Sequence, residues 1–242
     1  MRHALPAALA ALGLIIAAWI FGSAYVEARE VANGGAQSLS VKGYAERPVS
    51  SDKGSWTGQF ETYDTQLRSA YAALERDRNK VRNFLAGAGF PDARFGTVST
   101  QEVYEQLANG YQSSRILGYR LTQNVSLESS DLDRLETLVQ TSGELISDGV
   151  NFQSYEPQYF VSEIEALKVE ILGQAAANAY ARAEQLATNT GSEVGELTYA
   201  SQGVFQITGP NSAEVENYGI FDTRTREKVI KAVVTVSFRI DD

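Results

Sequence analysis

The chain opens on a long run of uncharged, mostly apolar residues from Ala4 to Val26. At about 1.5 Å per residue, a helix of this length reaches about 34 Å, which is enough to cross a hydrocarbon core of about 30 Å. The run therefore predicts a single N-terminal transmembrane helix within residues 1–30. The side chains expected to span the bilayer are Leu9, Leu12, Leu14, Ile15, Ile16, Trp19, Ile20 and Phe21.

The charges on either side orient this helix. Arg2 precedes the run and Glu27 follows it, so the positive-inside rule predicts a cytoplasmic N-terminus and a periplasmic body, single-pass in a bacterial inner membrane. The alternative is a cleaved signal peptide, since Val26-Glu27-Ala28 has the form of a cleavage site and would release a periplasmic body. A buried helix of the soluble domain is the remaining alternative. The apolar run is longer than a usual signal core, which favours an anchor.

Residues 31–37 are polar and Gly-rich, which predicts a flexible tether before a domain over residues 38–242. Alternating polar and apolar positions predict strands over 38–46, 53–62, 98–107, 119–128 and 150–160. Spacings of three and four residues predict helices over 65–88, from Ser129 to Ile146, and over 163–190, the last with a stripe that ends at Ala183 and Leu186.

The C-terminal strand has the clearest alternation in the chain. Its predicted buried face consists of Ile230, Ala232, Val234, Val236, Phe238 and Ile240. Before it lies a long polar loop, 203–227, and loops of that length are usually functional or take part in assembly.

These elements predict an α+β fold in which an antiparallel or mixed sheet is covered by helices. A weak internal echo links Gly43-Tyr44 with Gly118-Tyr119, because each pair precedes a predicted strand and helix. The echo predicts a domain built from repeated β–α units.

The amino-acid composition excludes several kinds of binding and catalytic site. The net charge of −9 argues against nucleic-acid binding, which depends on Lys and Arg at phosphates. The chain has no cysteine, and its one histidine is His3 beside the apolar run. Thiolate chemistry, a Ser-His-Asp triad and a His-based zinc site are therefore excluded from the body. The sequence predicts no enzyme, no catalytic residue and no cofactor.

One acidic stretch has two interpretations. Glu128, Asp131, Asp133 and Glu136 are residue types that hard cations favour. Acidic residues and serines also favour the first turn of a helix, where the backbone N–H groups are unpaired. The spacing lacks the pattern of a calcium loop, so we predict a helix start and no metal site.

Five aromatic residues and one proline are candidates for contacts between copies of the chain. Tyr155 and Tyr159 flank Pro157, a combination that suits either a corner of the core or an interface anchor. Phe205, Tyr218 and Phe221 lie in the long loop. We expect these six residues to contribute to a homo-oligomer.

The ordered set of segments resembles the SIMPL-domain (DUF541) family. The supporting segments are VKGYAERPVSSDKGSW (41–56), GYRLTQNVSLESSDLDRL (118–135), LISDGVNF (145–152), PQYF (157–160), EIEALKVEILGQAAANAYARAEQLA (163–187), ASQGVFQI (200–207) and REKVIKAVVTVSF (226–238). One departure is Asp52-Lys53-Gly54, where the family pattern has an Asp followed by a small or apolar residue.

The resemblance implies an envelope protein that forms ring-shaped homo-oligomers, with a stress-related or scaffolding role and no assigned catalytic residues. We therefore expect a non-enzymatic, membrane-tethered periplasmic protein whose partners are itself and the lipid bilayer. The alternative is a periplasmic binding module for a small molecule or a partner protein.

Overall fold

The computed structural model describes residues 38–107, 110–212, 214 and 216–241. The predicted membrane-spanning residues and the tether lie outside this range. Among the helices of the described part, none combines the length and apolarity needed to cross a bilayer.

Helices and strands are mixed along the described chain. The strands are β1 (Ser38–Ser50), β2 (Lys53–Asp64), β3 (Arg94–Phe95), β4 (Ser99–Gln106), β5 (Gln112–Ser129), β6 (Asn151–Ser154), β7 (Gln158–Phe160), β8 (Glu193–Gln202), β9 (Gln206–Thr208), β10 (Ile220–Phe221) and β11 (Glu227–Asp241). The helices are α1 (Leu67–Gly87), α2 (Leu132–Thr141), α3 (Glu144–Ser147) and α4 (Ile164–Thr190). Most pairs are antiparallel and β9–β10 is parallel, which confirms the predicted α+β class.

The described residues divide into two compact units. The first contains residues 38–45, 172–203 and 233–241, and the second contains residues 46–171 and 204–232. The chain passes from one unit to the other within β1, α4 and β11.

In the first unit, small residues allow a strand and a helix to approach closely. Ala175, Ala179 and Ala183 repeat at four-residue spacing along α4 and are fully buried. At Gly43 in β1, an added Cβ would lie 2.0 Å from the carbonyl oxygen of Ala175. Only glycine therefore fits at this position.

The C-terminal part of β11 pairs with β8 in the same unit. The antiparallel register runs from Val234 opposite Gln202 to Asp241 opposite Glu193. Phe238 on the buried face packs edge-on against Tyr180, with ring centroids 5.6 Å apart. The predicted alternation of β11 is confirmed from Ile230 to Phe238, where every second side chain is buried.

The predicted stripe of α4 is correct up to Ala183 and wrong at its end. Leu186 is half exposed, and Ala187 takes the buried position. The buried spacing stays at four residues from Ile171 onward, so it reaches position 187 and passes over position 186.

In the second unit, β2 is the central strand of a six-stranded sheet. The order is β3-β5-β2-β6, with β4 also on β5 and β7 also on β2. β2 pairs with β5 from Gly54 opposite Ser129 to Asp64 opposite Tyr119. Trp56 and Phe60 share the buried face of β2, and each is only 1% exposed.

Two predicted elements are interrupted. The helix expected from Ser129 to Ile146 is two helices, because α2 ends before Gly143 and α3 begins after it. The strand expected over 150–160 is two short strands, β6 and β7, which both pair with β2 on either side of Pro157. Proline has no N–H to donate to a ladder, so the pairing stops there.

Three predicted boundaries also move. β1 continues through Pro48 to Ser50, where the alternating burial pattern persists. β5 begins at Gln112, well before the predicted start at 119. The loop 203–227 contains β9 and β10, which pair in parallel.

Gly43→Ala tests the close approach in the first unit. The new Cβ would collide with backbone, so we expect the free energy of unfolding to fall by about 3 kcal/mol. Gly173→Ala in α4 is the matched control, since a Cβ there meets nothing within 4 Å. That control should gain about 0.5–1 kcal/mol, because alanine favours a helix interior. Urea unfolding measures both, and wild-type stability for Gly43→Ala would contradict this packing.

Candidate functional site

Two adjoining cavities lie at one end of the β2–β5 pair in the second unit. Their volumes are about 480 Å³ and about 500 Å³. Both are lined by Ser55, Glu128, Ser129 and Ser130. The shared residues make the two cavities neighbours, and we refer to both together as the groove.

The sheet register and a helix cap build this groove. Ser55 of β2 lies opposite Glu128 of β5. Immediately after β5, the Asp131 side chain accepts a hydrogen bond from the Arg134 backbone N–H at 3.0 Å and caps α2. The acidic stretch thus starts a helix, as predicted, and the described residues contain no group of three or more acidic or histidine side chains arranged for a metal.

The groove walls combine polar and apolar groups. Phe160 is partly buried and supplies apolar surface, whereas Trp56 and Leu127 lie almost fully buried beneath the groove. Charged side chains at the rim include Arg94 and Arg134. Such a mixed lining suits a small ligand with an apolar body and polar edges.

A second cluster surrounds a buried lysine at the start of β11. Lys228 is 1% exposed, and its ammonium donates to the backbone carbonyls of Asp222 and Thr225, both at 2.5 Å. Burial lowers the pKa of Lys228, and the Asp222 carboxylate opposes this shift. The lysine holds the end of the long loop against β11.

For the Asp222 carboxyl, its neighbours outweigh burial in setting the pKa. Burial acts to raise its pKa, but the backbone N–H of Arg224 and the charge of Lys228 outweigh this effect and leave the pKa lowered. The Arg224 amide donates to the carboxylate at 2.7 Å. Asp222 therefore stays ionised beside the buried ammonium.

The next arginine ties the same loop to α2. Arg226 pairs with Asp133 at 2.5 Å and lies 3.7 Å from Glu136. The Tyr159 hydroxyl donates to Glu136 at 3.2 Å, and burial together with that carboxylate raises the pKa of Tyr159 to about 12. Tyr159 is thus a neutral hydrogen-bond donor inside a structural network.

The predicted oligomer-contact residues lie in different environments. Tyr159 is buried, and Pro157 and Phe205 are partly buried. Tyr155 and Phe221 are about half exposed, and Tyr218 is 97% exposed. The predicted membrane-spanning residues 9–21 lie outside the described range.

A projecting ribbon offers an interaction surface that the sequence analysis did not identify. We use "ribbon" for Val103–Gln106 of β4 and Gln112–Gly118 of β5, together with Leu107, Gly110 and Tyr111. Val103 pairs with Gly118 and Gln106 with Gln112, whereas the β2 pairing stops at Tyr119. No other described strand pairs with 103–106 or 112–117.

The ribbon carries apolar side chains into solvent. Tyr111 is 73% exposed, and Leu107, Ile116 and Leu117 are also exposed. In a single copy of the chain, no described strand pairs with either outer edge of the ribbon. The ribbon therefore combines two open strand edges with exposed apolar side chains. Its signal in the sequence is weak, because residues 112–118 do not alternate between polar and apolar types.

Comparison with known families agrees with the resemblance seen in the sequence. Residues 39–238 match the SIMPL family, described as a protein of unknown function (DUF541). The match covers most of the chain, so the chain belongs to the SIMPL family. No curated protein matches it.

Lys228→Met tests the buried ammonium. Methionine fills a similar volume but leaves the carbonyls of Asp222 and Thr225 unpaired, so we expect a loss of about 2–4 kcal/mol in unfolding free energy. The exposed Lys53→Met is the matched control and should change stability by less than about 0.5 kcal/mol. Equal stabilities for the two variants in urea unfolding would show that Lys228 does not secure the loop.

Proposed function

We propose that this chain is a non-enzymatic protein of the bacterial envelope that assembles with copies of itself into a ring. In this proposal residues 4–26 tether it to the inner membrane, the body faces the periplasm, and the ring has a scaffolding role in the envelope or in stress. The observation that carries the assembly is the ribbon, with its open edges and exposed apolar side chains.

Strand edges explain why the ribbon favours a partner. An open edge presents unpaired N–H and C=O groups, which readily pair with another strand. A two-stranded ribbon alone is only marginally stable in water. Pairing with a neighbour would satisfy the edges and cover Leu107, Tyr111, Ile116 and Leu117.

Charge favours one mode of pairing over another. β4 carries Glu102 and Glu105, and the ribbon part of β5 carries Arg115, which lies 3.6 Å from Glu105 of the same ribbon. Two β4 edges side by side would bring like charges together, while β4 of one copy beside β5 of the next brings opposite charges together. Such a head-to-tail interface forms a ring when the rotation between copies closes.

The absence of catalysis in this proposal rests on the residue inventory. The chain lacks cysteine, and its one histidine precedes the apolar run. The best-formed ionic network, Arg226 with Asp133 and Glu136, joins a loop to a helix. That network is suited to stabilising structure.

A double substitution, Leu107→Asp with Ile116→Asp, tests the ribbon. The added charges disfavour burial at an interface, so we expect association to weaken at least about a hundredfold, at about 1.4 kcal/mol per factor of ten. Sedimentation of the full-length protein in detergent should then show the 26.4 kDa subunit in place of an assembly.

Val169→Asp is the control for this test, because Val169 lies on α4 and is even more accessible, at 73% exposure against 46% for Leu107 and 40% for Ile116. This variant should assemble like the wild type. An assembly of unchanged mass in the ribbon variant would contradict the proposed interface, and a monomeric wild type would contradict self-assembly itself.

The groove at one end of the β2–β5 pair favours a second candidate, a periplasmic binding module. Filling the groove with Ser130→Trp should weaken binding of the probe anilinonaphthalene sulfonate about tenfold, whereas Ser147→Trp on α3 should leave binding unchanged. A tenfold loss corresponds to about 1.4 kcal/mol. Equal fluorescence titrations of the two variants would remove the groove as a ligand site.

A further inference from the structure

Helix α1 has one face committed to the core and the opposite face open to solvent. Ala70, Leu74, Val81 and Leu85 are buried at helical spacing against the core of the second unit. No described strand or helix covers the opposite face, whose side chains are exposed. This exposed face is described below as the basic face.

The basic face is strongly positive although the chain is acidic. Its charged side chains are Arg68, Arg76, Lys80 and Arg82. Of the two acidic residues of α1, Asp77 is mostly buried, whereas Glu75 has 37% of its side chain exposed and lies on the same helical stripe as Arg68 and Arg82. Cations therefore outnumber acidic residues among the exposed charges of this helix, in a protein whose net charge is −9.

Local partners satisfy only some of these charges. Glu75 pairs with Arg78 at 3.3 Å, and Asp77 lies 3.8 Å from Lys80. Arg68 and Arg76 form no hydrogen bond or ion pair with any described residue. They are two turns apart, at about 12 Å along the axis, and both are available to an external anion.

The side chains between the cations suit a flat, amphipathic surface. Leu67 and Tyr71 are about half exposed next to Arg68. Tyrosine rings beside arginines are typical of groups that settle at a membrane interface. Ala72 lies between Arg68 and Arg76 and leaves the approach to the backbone unobstructed.

We infer that the basic face of α1 binds the anionic headgroups of a phospholipid bilayer. The inference rests on the proposed membrane tether, because residues 27–37 then separate the bilayer from Ser38 by at most about 39 Å. Each exposed cation near an anionic surface strengthens binding about fivefold. The more distant acidic side chains are screened beyond about 8 Å.

The lack of cysteine makes a direct test possible. Ala72→Cys carries a fluorophore in the middle of the basic face, and Gln140→Cys on the exposed side of α2 carries the same label as the matched control. The full-length protein is reconstituted in vesicles of phosphatidylcholine, with or without phosphatidylglycerol, that contain a headgroup-bound quencher. We expect quenching at position 72 to increase with phosphatidylglycerol and to be lost at high salt, while position 140 stays unchanged.

Charge variants then identify the contact. Arg68→Gln with Arg76→Gln should reduce the ratio of docked to undocked protein about 25-fold, at about fivefold per cation. Arg68→Lys with Arg76→Lys should retain docking, because the charge is kept. Equal quenching with both lipids would overturn the inference. Quenching that rises with protein concentration in phosphatidylcholine alone would also overturn it, because the basic face would then contact protein and not lipid.

Flotation separates this inference from the tether. Flotation with phosphatidylcholine vesicles reports the apolar N-terminal run alone. If the protein floats there but position 72 is quenched equally with both lipids, the tether stands and the inference fails. If the protein does not float with phosphatidylcholine, the tether fails. In that case, flotation with phosphatidylglycerol vesicles that is lost in the Arg68→Gln, Arg76→Gln variant supports binding by the basic face. A wild-type protein that does not float with phosphatidylglycerol vesicles either overturns the inference.

Discussion

The structure of the second unit depends on a mismatch between two paired strands. β5 has 18 residues and β2 has 12, so the ladder between them ends at Asp64 and Tyr119. Where β2 pairs with it, β5 has a core on one face and buried side chains such as Leu121 and Val125. On the N-terminal side of Tyr119, β5 pairs only with β4 among the described strands, so the ribbon consists of two strands that bond only to each other. The same continuous strand thus belongs to the core at one end and presents open edges at the other.

Polar networks organise the opposite end of the unit. Lys228 fixes the loop carbonyls of Asp222 and Thr225 to the start of β11, and Arg226 holds the same loop to α2 through Asp133. A buried ammonium is costly unless its donors are satisfied, so the loop must keep one conformation around it. The groove beside β2 and β5 begins at the N-terminus of α2, which this network supports. Loop, helix and groove are therefore coupled through a few charged side chains.

Local patterns predicted the parts of the fold that local physics decides. Alternation located β2 and the buried face of β11, and helical spacing located α1. The pattern also contained the buried lysine, because Lys228 lies two residues before Ile230 on the same face of the strand. The pattern alone did not indicate that Lys228 is buried, because a charged residue at this position is also typical of the exposed end of a strand. The net charge of the chain also gave no indication of the basic face of α1, because a total charge does not show where along the chain the cations lie.

Features that depend on distant residues could not be predicted. β5 starts at Gln112 because β4 pairs with it, and nothing in residues 112–118 alternates. The break at Pro157 was visible as a proline, but the return of β7 to β2 depends on where β2 lies. The groove combines Ser55 with Ser130, which are far apart in sequence. The membrane anchor and the β–α repeat stay predictions.

The central claim is that another copy of the chain covers the ribbon, and amide hydrogen exchange in the full-length protein tests this most directly. Open strand edges exchange quickly, whereas paired amides are protected. We expect residues 103–106 and 112–117 to exchange slowly in the concentrated protein and faster on dilution, with the amides of β2 unaffected. Fast exchange throughout the ribbon at every concentration would show that no partner pairs with it and would contradict the account.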